Sequence, residues 1–104
     1  MQAFYDASFS REMGCTEAEW LGWLPAAMGQ HHWQRSGQTA RVEIQNLDGS
    51  QGQLNINWQV AAPRCIALMR IPRLLVRFEF EGMNDAQRYT FMRRFDLYMQ
   101  RGGG

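Results

Sequence analysis

The sequence predicts one α+β domain in which a curved antiparallel sheet packs on a long C-terminal helix. Three observations carry that prediction. Residues 39–46, 53–60 and 73–81 alternate apolar and polar side chains with period two, the signature of half-buried strands. From Asn84 the apolar residues recur instead at three- and four-residue spacing, the period of a helix with one buried face. At 104 residues the chain has length for a single core, which should bury roughly 65% of the surface the unfolded chain exposes.

Taken in order, residues 3–10 alternate loosely, with Tyr5, Ala7 and Phe9 on one side, and read as a first strand. Thr16 and Glu19 form a capping box, so a helix starts there, with Trp20, Leu21, Trp23, Leu24 and Ala27 or Met28 as its apolar side. Pro25 lacks an amide proton and crowds the preceding turn, so the helix is expected to end or kink near Leu24, and Gly29 closes the element. Residues 30–37, polar around His31, His32 and Trp33, read as a loop. Ala40, Val42 and Ile44 then alternate with Arg41, Glu43 and Gln45, and Leu54, Ile56, Trp58 and Val60 alternate with Asn55, Asn57 and Gln59. Asp48-Gly49 between them supplies residues that tolerate positive φ, so the two runs form a hairpin. Pro63 punctuates the chain, Cys65 to Ile71 read as a further strand, and Ile71-Pro72 turn the chain into Leu74 to Glu81. Asn84, with Gln87 three residues on, caps the last helix, whose apolar side is Ala86, Tyr89, Phe91, Met92, Phe95, Tyr98 and Met99. Arg88, Arg93, Arg94 and Arg101 are expected toward water.

The resulting order is strand, helix, four strands, helix, over a domain of residues 1–101 followed by a disordered tail, Gly102-Gly103-Gly104. A sheet with one apolar face needs a cover, and the C-terminal helix is the element long enough to supply it. In element order the chain resembles the TATA-binding-protein-like, or helix-grip, arrangement, in which a curved antiparallel sheet wraps a C-terminal helix. The likeness rests on order across the whole chain and on no motif, so it speaks to fold and not to function.

Composition narrows the classes of function. Apolar residues at 45% and charged ones at 20% fit a folded globular domain and exclude a long disordered chain. No apolar run approaches the ~20 residues of a membrane-spanning helix, and the N-terminus lacks the pattern of a signal peptide, so no membrane partner and a cytoplasmic location are expected. Cys15 and Cys65 make no C-x-x-C pair and are expected as two buried or half-buried free thiols. All eleven basic residues are Arg, a usage that a GC-rich coding sequence yields without selection for function. They are distributed unevenly: residues 1–60 carry three Arg against six acids and residues 61–104 eight Arg against four, so the halves stand at −3 and +4.

Motifs for chemistry are missing. His31 and His32 are adjacent and diverge in most backbone conformations, and neither cysteine stands at a metal-binding spacing, so no metal is expected. The chain holds no G-x-S-x-G elbow, phosphate loop or G-x-G-x-x-G turn, which points away from an enzyme and from a cofactor. The arginines of the second half are too nearly balanced by acids, and its aromatics too well matched to a core face, to make nucleic acid the expected partner.

What remains is surface. With Leu74, Val76, Phe78 and Phe80 inward, and Cys65, Ala67, Met69 and Ile71 inward beside them, Ile66, Leu68 and Leu75 are left outside among Arg64, Arg70, Arg73 and Arg77. Aliphatic side chains ringed by arginine have the composition of an interface. The reading is therefore a non-enzymatic interaction module that uses Ile66, Leu68, Arg70, Arg73, Leu75 and Arg77 for self-association or a protein partner. The alternative is a small apolar ligand held between the sheet and the C-terminal helix by Trp58, Phe78, Tyr89 and Met92.

Overall fold

The computed structural model describes residues 4–101, in which β1 (Ser8–Met13), β2 (His32–Ser36), β3 (Thr39–Gln45), β4 (Gln51–Ile66) and β5 (Met69–Glu81) form one sheet with α1 (Glu17–Met28) and α2 (Asp85–Arg101). Ala3 at the start of the expected first strand and the Gly102–Gly104 tail lie outside the described residues. The sheet order is β1-β5-β4-β3-β2 and every pairing is antiparallel. Its consecutive strands β2 to β5 meander, while β1 sits outside β5 at the opposite edge from β2. α1 must therefore carry the chain across the sheet. Four strand spacings of about 4.8 Å make ~19 Å, and a twelve-residue helix at 1.5 Å per residue is ~18 Å long.

That crossing makes α1 a second cover for the sheet, where the sequence reading had assigned the task to α2 alone. Trp20, Leu24, Ala27 and Met28 of α1, together with Phe91, Met92, Phe95 and Met99 of α2, are buried against Ala40, Val42, Ile44, Leu54, Ile56, Trp58, Leu74, Val76, Phe78 and Phe80 of the sheet. At the centre Trp20 meets Trp58 edge-on at 5.6 Å and Phe95 at 6.1 Å, and Phe95 stands perpendicular to Phe78 at 5.6 Å. Both helices start as expected: Thr16 and Glu19 exchange amide hydrogen bonds, and so do Asn84 and Gln87. Pro25 does not end α1, which continues to Met28. A proline inside a helix costs about 3 kcal/mol, and burial of Met28 alone returns about 1.5–3 kcal/mol, so the last turn is held by the core below it. Gly29 then closes the helix at φ +63°, with the Arg94 guanidinium packed where a Cβ would stand.

Three boundaries differ from the sequence reading. The first strand is displaced to Ser8–Met13, because Tyr5 is buried from an irregular segment, where its hydroxyl donates to Asp96. Residues 32–36, read as loop, form the edge strand β2, whose only half-buried side chain is Trp33; without an inward row no alternation marks it. Its turn into β3 carries Gly37 at φ +59°, between Ser36 and Thr39. Residues 65–71 are not a strand of their own. They are the tip of a single β4–β5 hairpin, reversed by a two-residue turn at Ala67-Leu68. The element order is thus the expected one by compensation, an unseen β2 replacing a strand that is not there. Pro63 and Pro72, read as punctuation, lie where the ladder slips between the pairs Ala61–Arg73 and Arg64–Ile71. A bulge there asks no ladder hydrogen bond of a residue that has no amide proton.

Candidate interaction surface

The β4–β5 hairpin outruns the helices. Residues 62–70 are all exposed, and the molecule measures 51 × 29 × 22 Å. At about 3.3 Å per residue, the β4 residues from Ala61 to Ile66 extend the sheet by roughly 20 Å. We refer to this part as the arm. Opposite residues of an antiparallel pair share a side of the sheet, and β5 holds period two throughout, so Met69, Ile71, Arg73, Leu75 and Arg77 lie on the side turned away from the helices. Across from them stand Ile66, Arg64, Ala61, Gln59 and Asn57.

This geometry keeps part of the expected patch and redraws the rest. Ile66, Arg73, Leu75 and Arg77 share the outward side. Leu68 occupies the turn, wholly exposed, and Arg70, opposite Cys65, lies on the other side. Met69 and Ile71, assigned inward when 65–71 was read as a separate strand, are outward with Leu75. The signal that would have placed them is the unbroken parity from Met69 to Glu81, which Pro72 obscured. Cys65, expected buried or half-buried, is exposed on the arm, while Cys15 is buried as expected. Burial, and next the nearby Glu19 charge, push the Cys15 thiol up.

The outward arginines are braced against β1. Glu12 accepts from Arg73 Nε at 2.7 Å and Arg64 Nη2 at 3.0 Å, and the bond from Arg73 does most to hold its carboxyl below the usual range. Arg73 also donates to the Ala62 carbonyl at 3.2 Å, across the bulge. Arg77 spreads over Glu79 at 2.9 Å and the hydroxyls of Ser10 and Ser8 at 3.1 and 2.7 Å. Leu75 lies half-buried beside a shallow depression lined also by Ser10, Glu12, Asn57, Gln59 and Arg77. Beyond Arg77 the face turns acidic: Glu81, Gln53 and Glu43 stand side by side across β5, β4 and β3. Among the described residues neither Glu43 nor Glu81 makes an ion pair.

The four residues of the ligand reading sit differently. Trp58, Phe78 and Met92 are buried with Trp20 and Phe95 packed among them, and the Trp58 indole N–H is spent on Glu17 at 2.9 Å. Tyr89 is at the core's edge, 6.4 Å from the Tyr5 ring. Arg88, expected toward water, is buried and donates to the carbonyls of Tyr5 and Met83 and to Asp85, closing the chain entry onto α2. His31 is half-buried, 5.3 Å from the Phe91 ring, while the neighbouring His32 is exposed on β2. Among the described residues no helix is long and apolar enough to cross a membrane. No protein-family model matches the chain, and no curated protein matches it.

Proposed function

We propose that the protein is a non-enzymatic interaction module that associates with a second copy of itself through the outward side of the arm. One observation carries this reading: Leu68 is fully exposed and Met69 and Ile66 are 65% and 54% exposed, on a hairpin whose far end supports no core. Folding does not require hydrocarbon at those positions, and a partner that covers it gains about 25 cal/mol for each Å² removed from water. The charge order along the same side favours a second copy as the partner. From the tip it runs aliphatic, then arginine at 73 and 77, then acid at 79, 81 and 43. Two such faces related by a two-fold axis set the arginines of each, held within one copy by Glu12 and Glu79, toward Glu43 and Glu81 of the other, which make no ion pair among the described residues.

Sedimentation velocity across the micromolar range tests the reading. Wild type is expected to sediment as a dimer and Met69→Glu as a monomer, the two melting alike once diluted to where wild type dissociates, because Met69 is exposed in the single chain. A wild type that is monomeric at every concentration rejects self-association. A dimer that Met69→Glu and Leu75→Glu leave intact rejects this surface.

A further inference from the structure

At the end of the sheet away from the arm, the first turns of α2 stand off from the β3–β4 loop and leave a cleft of about 390 Å³. Its walls are largely hydrocarbon, from Ile44, Leu47, Ala86 and Phe91. Leu47, a large aliphatic side chain, is almost wholly exposed at the rim. Polar groups are segregated by position along α2. At the Gln87 turn, Asp48 is the single carboxylate of the lining, and it is already engaged by the Ser50 amide at 2.9 Å, the Ser50 hydroxyl at 2.6 Å and the Gln87 side-chain amide at 3.3 Å. Seven residues on, about 10 Å along the helix, Arg94 lines the cleft without a carboxylate partner among the described residues. Arg94 is exposed, and its guanidinium lies over the Tyr98 ring at 4.4 Å, donates to the Tyr98 hydroxyl at 3.4 Å and packs against Gly29, so it is held in place with no opposite charge beside it. His31 borders the same end on the Phe91 ring.

We infer that this cleft is a binding site for a small amphipathic carboxylate, with its hydrocarbon body on Ile44, Leu47, Ala86 and Phe91 and its carboxylate on Arg94 beside His31. The volume lies at the lower end of the few hundred Å³ usual for small-molecule sites, which fits one ring or a short chain. A guanidinium presents a planar fork matched to a carboxylate, whereas a neutral isostere of the same body offers it no charge. Of the charged side chains lining the cleft, Arg94 comes from α2 near enough for its charge to act on His31, and Asp48 stands on the loop at the other end. Burial, and next Arg94, hold the His31 imidazole below its usual value. An arriving carboxylate offsets the Arg94 charge and favours the charged imidazole, so its binding is expected to raise the His31 value. The site is independent of the arm, and its test separates from that of self-association.

The experiment is a titration of the full chain by 1H–15N correlation spectra, with 4-phenylbutyrate and its neutral amide as probes. Shifts are expected at Leu47, Ala86, Gln87, Thr90 and Phe91, with the carboxylate binding about tenfold tighter than the amide. Arg94→Gln is expected to erase that preference and Arg94→Lys to keep part of it. The His31 ring resonances should titrate at higher pH with 4-phenylbutyrate bound. Ala86→Trp, which fills the cleft from an exposed helix position, should abolish binding of both probes. The proposal is overturned if neither probe shifts these amides, if acid and amide bind alike, or if Arg94→Gln leaves the preference unchanged.

Discussion

The two ends of the β4–β5 hairpin are made of the same two strands and obey different rules. Over the body, Leu54, Ile56, Trp58, Leu74, Val76 and Phe78 are buried under α1 and α2, while their neighbours Asn55, Asn57, Arg77 and Glu79 form the outer face. Over the arm both sides of the ladder meet water, and yet Ile66, Leu68 and Met69 are apolar. In the body a side chain's character follows from which face it occupies. In the arm nothing in the fold asks for hydrocarbon, so the apolar residues there are the ones that folding leaves unexplained.

The sharpest way to break this contrast is to truncate one large apolar side chain in each place. Phe95 is fully buried and touches the rings of Trp20, Phe78 and Phe91, so Phe95→Ala is expected to cost about 3–5 kcal/mol by urea denaturation. Leu68→Ala, at the exposed turn, should change stability by less than about 0.5 kcal/mol while weakening self-association. A comparable loss of stability from both would mean that the arm is covered within one molecule and that the two ends obey the same rule after all.

A smaller effect, confined to the body, is pH-dependent. The Tyr5 hydroxyl donates to Asp96 at 2.6 Å, and Arg11 braces the same carboxylate at 2.7 Å while lying over the Phe78 ring at 5.1 Å. Burial, and next the bond to Asp96, push the phenol from 10 up to about 12. The folded value lies above that of the unfolded chain, so the phenol's contribution to stability is whole below pH 10 and is lost as pH rises toward 12. Melting midpoints followed through that window should fall for wild type and fall less steeply for Tyr5→Phe. Equal slopes would remove Tyr5 as the alkaline-sensitive tie between the N-terminal segment and α2.

The same contrast explains what could be read from the sequence. Wherever a strand lies under a helix, burial of one face writes an alternating pattern, and β3, the body half of β4 and the body half of β5 were legible for that reason. Capping boxes at Thr16 and Asn84 were legible because they are local. β2 sets only Trp33 against the core and the arm has no core beneath it, so neither carries an inward row. The arm also conceals its turn, since Ala67-Leu68 contains none of the residues that mark one, and its prolines serve a bulge where they had read as breaks. On the candidate surface, Ile66 and Leu75 were found by parity, and Met69 and Ile71 were lost with the turn. The cleft beside Arg94 joins residues from three separate segments and leaves no spacing to recognise.

The turn itself supplies the finest test. Ala67 is the only non-glycine among the described residues with positive φ, at +54°, and it is the first central residue of a two-residue hairpin loop, where glycine is the favoured choice. A Cβ in that region costs roughly 1–2 kcal/mol, and glycine's greater freedom in the unfolded chain takes back about 0.4–1 kcal/mol, so Ala67→Gly should stabilise the fold by about 0.5–1 kcal/mol. Removal of one exposed methyl group takes little from any interface, and the register set by the pair Ile66–Met69 is unchanged. The variant is therefore expected to melt slightly higher and to dimerise as wild type does. That outcome would show an arm tip whose residues are not the best for folding. A variant that melts lower would mean that Ala67 does not hold the positive φ on which its cost depends, and that the arm turns by another geometry.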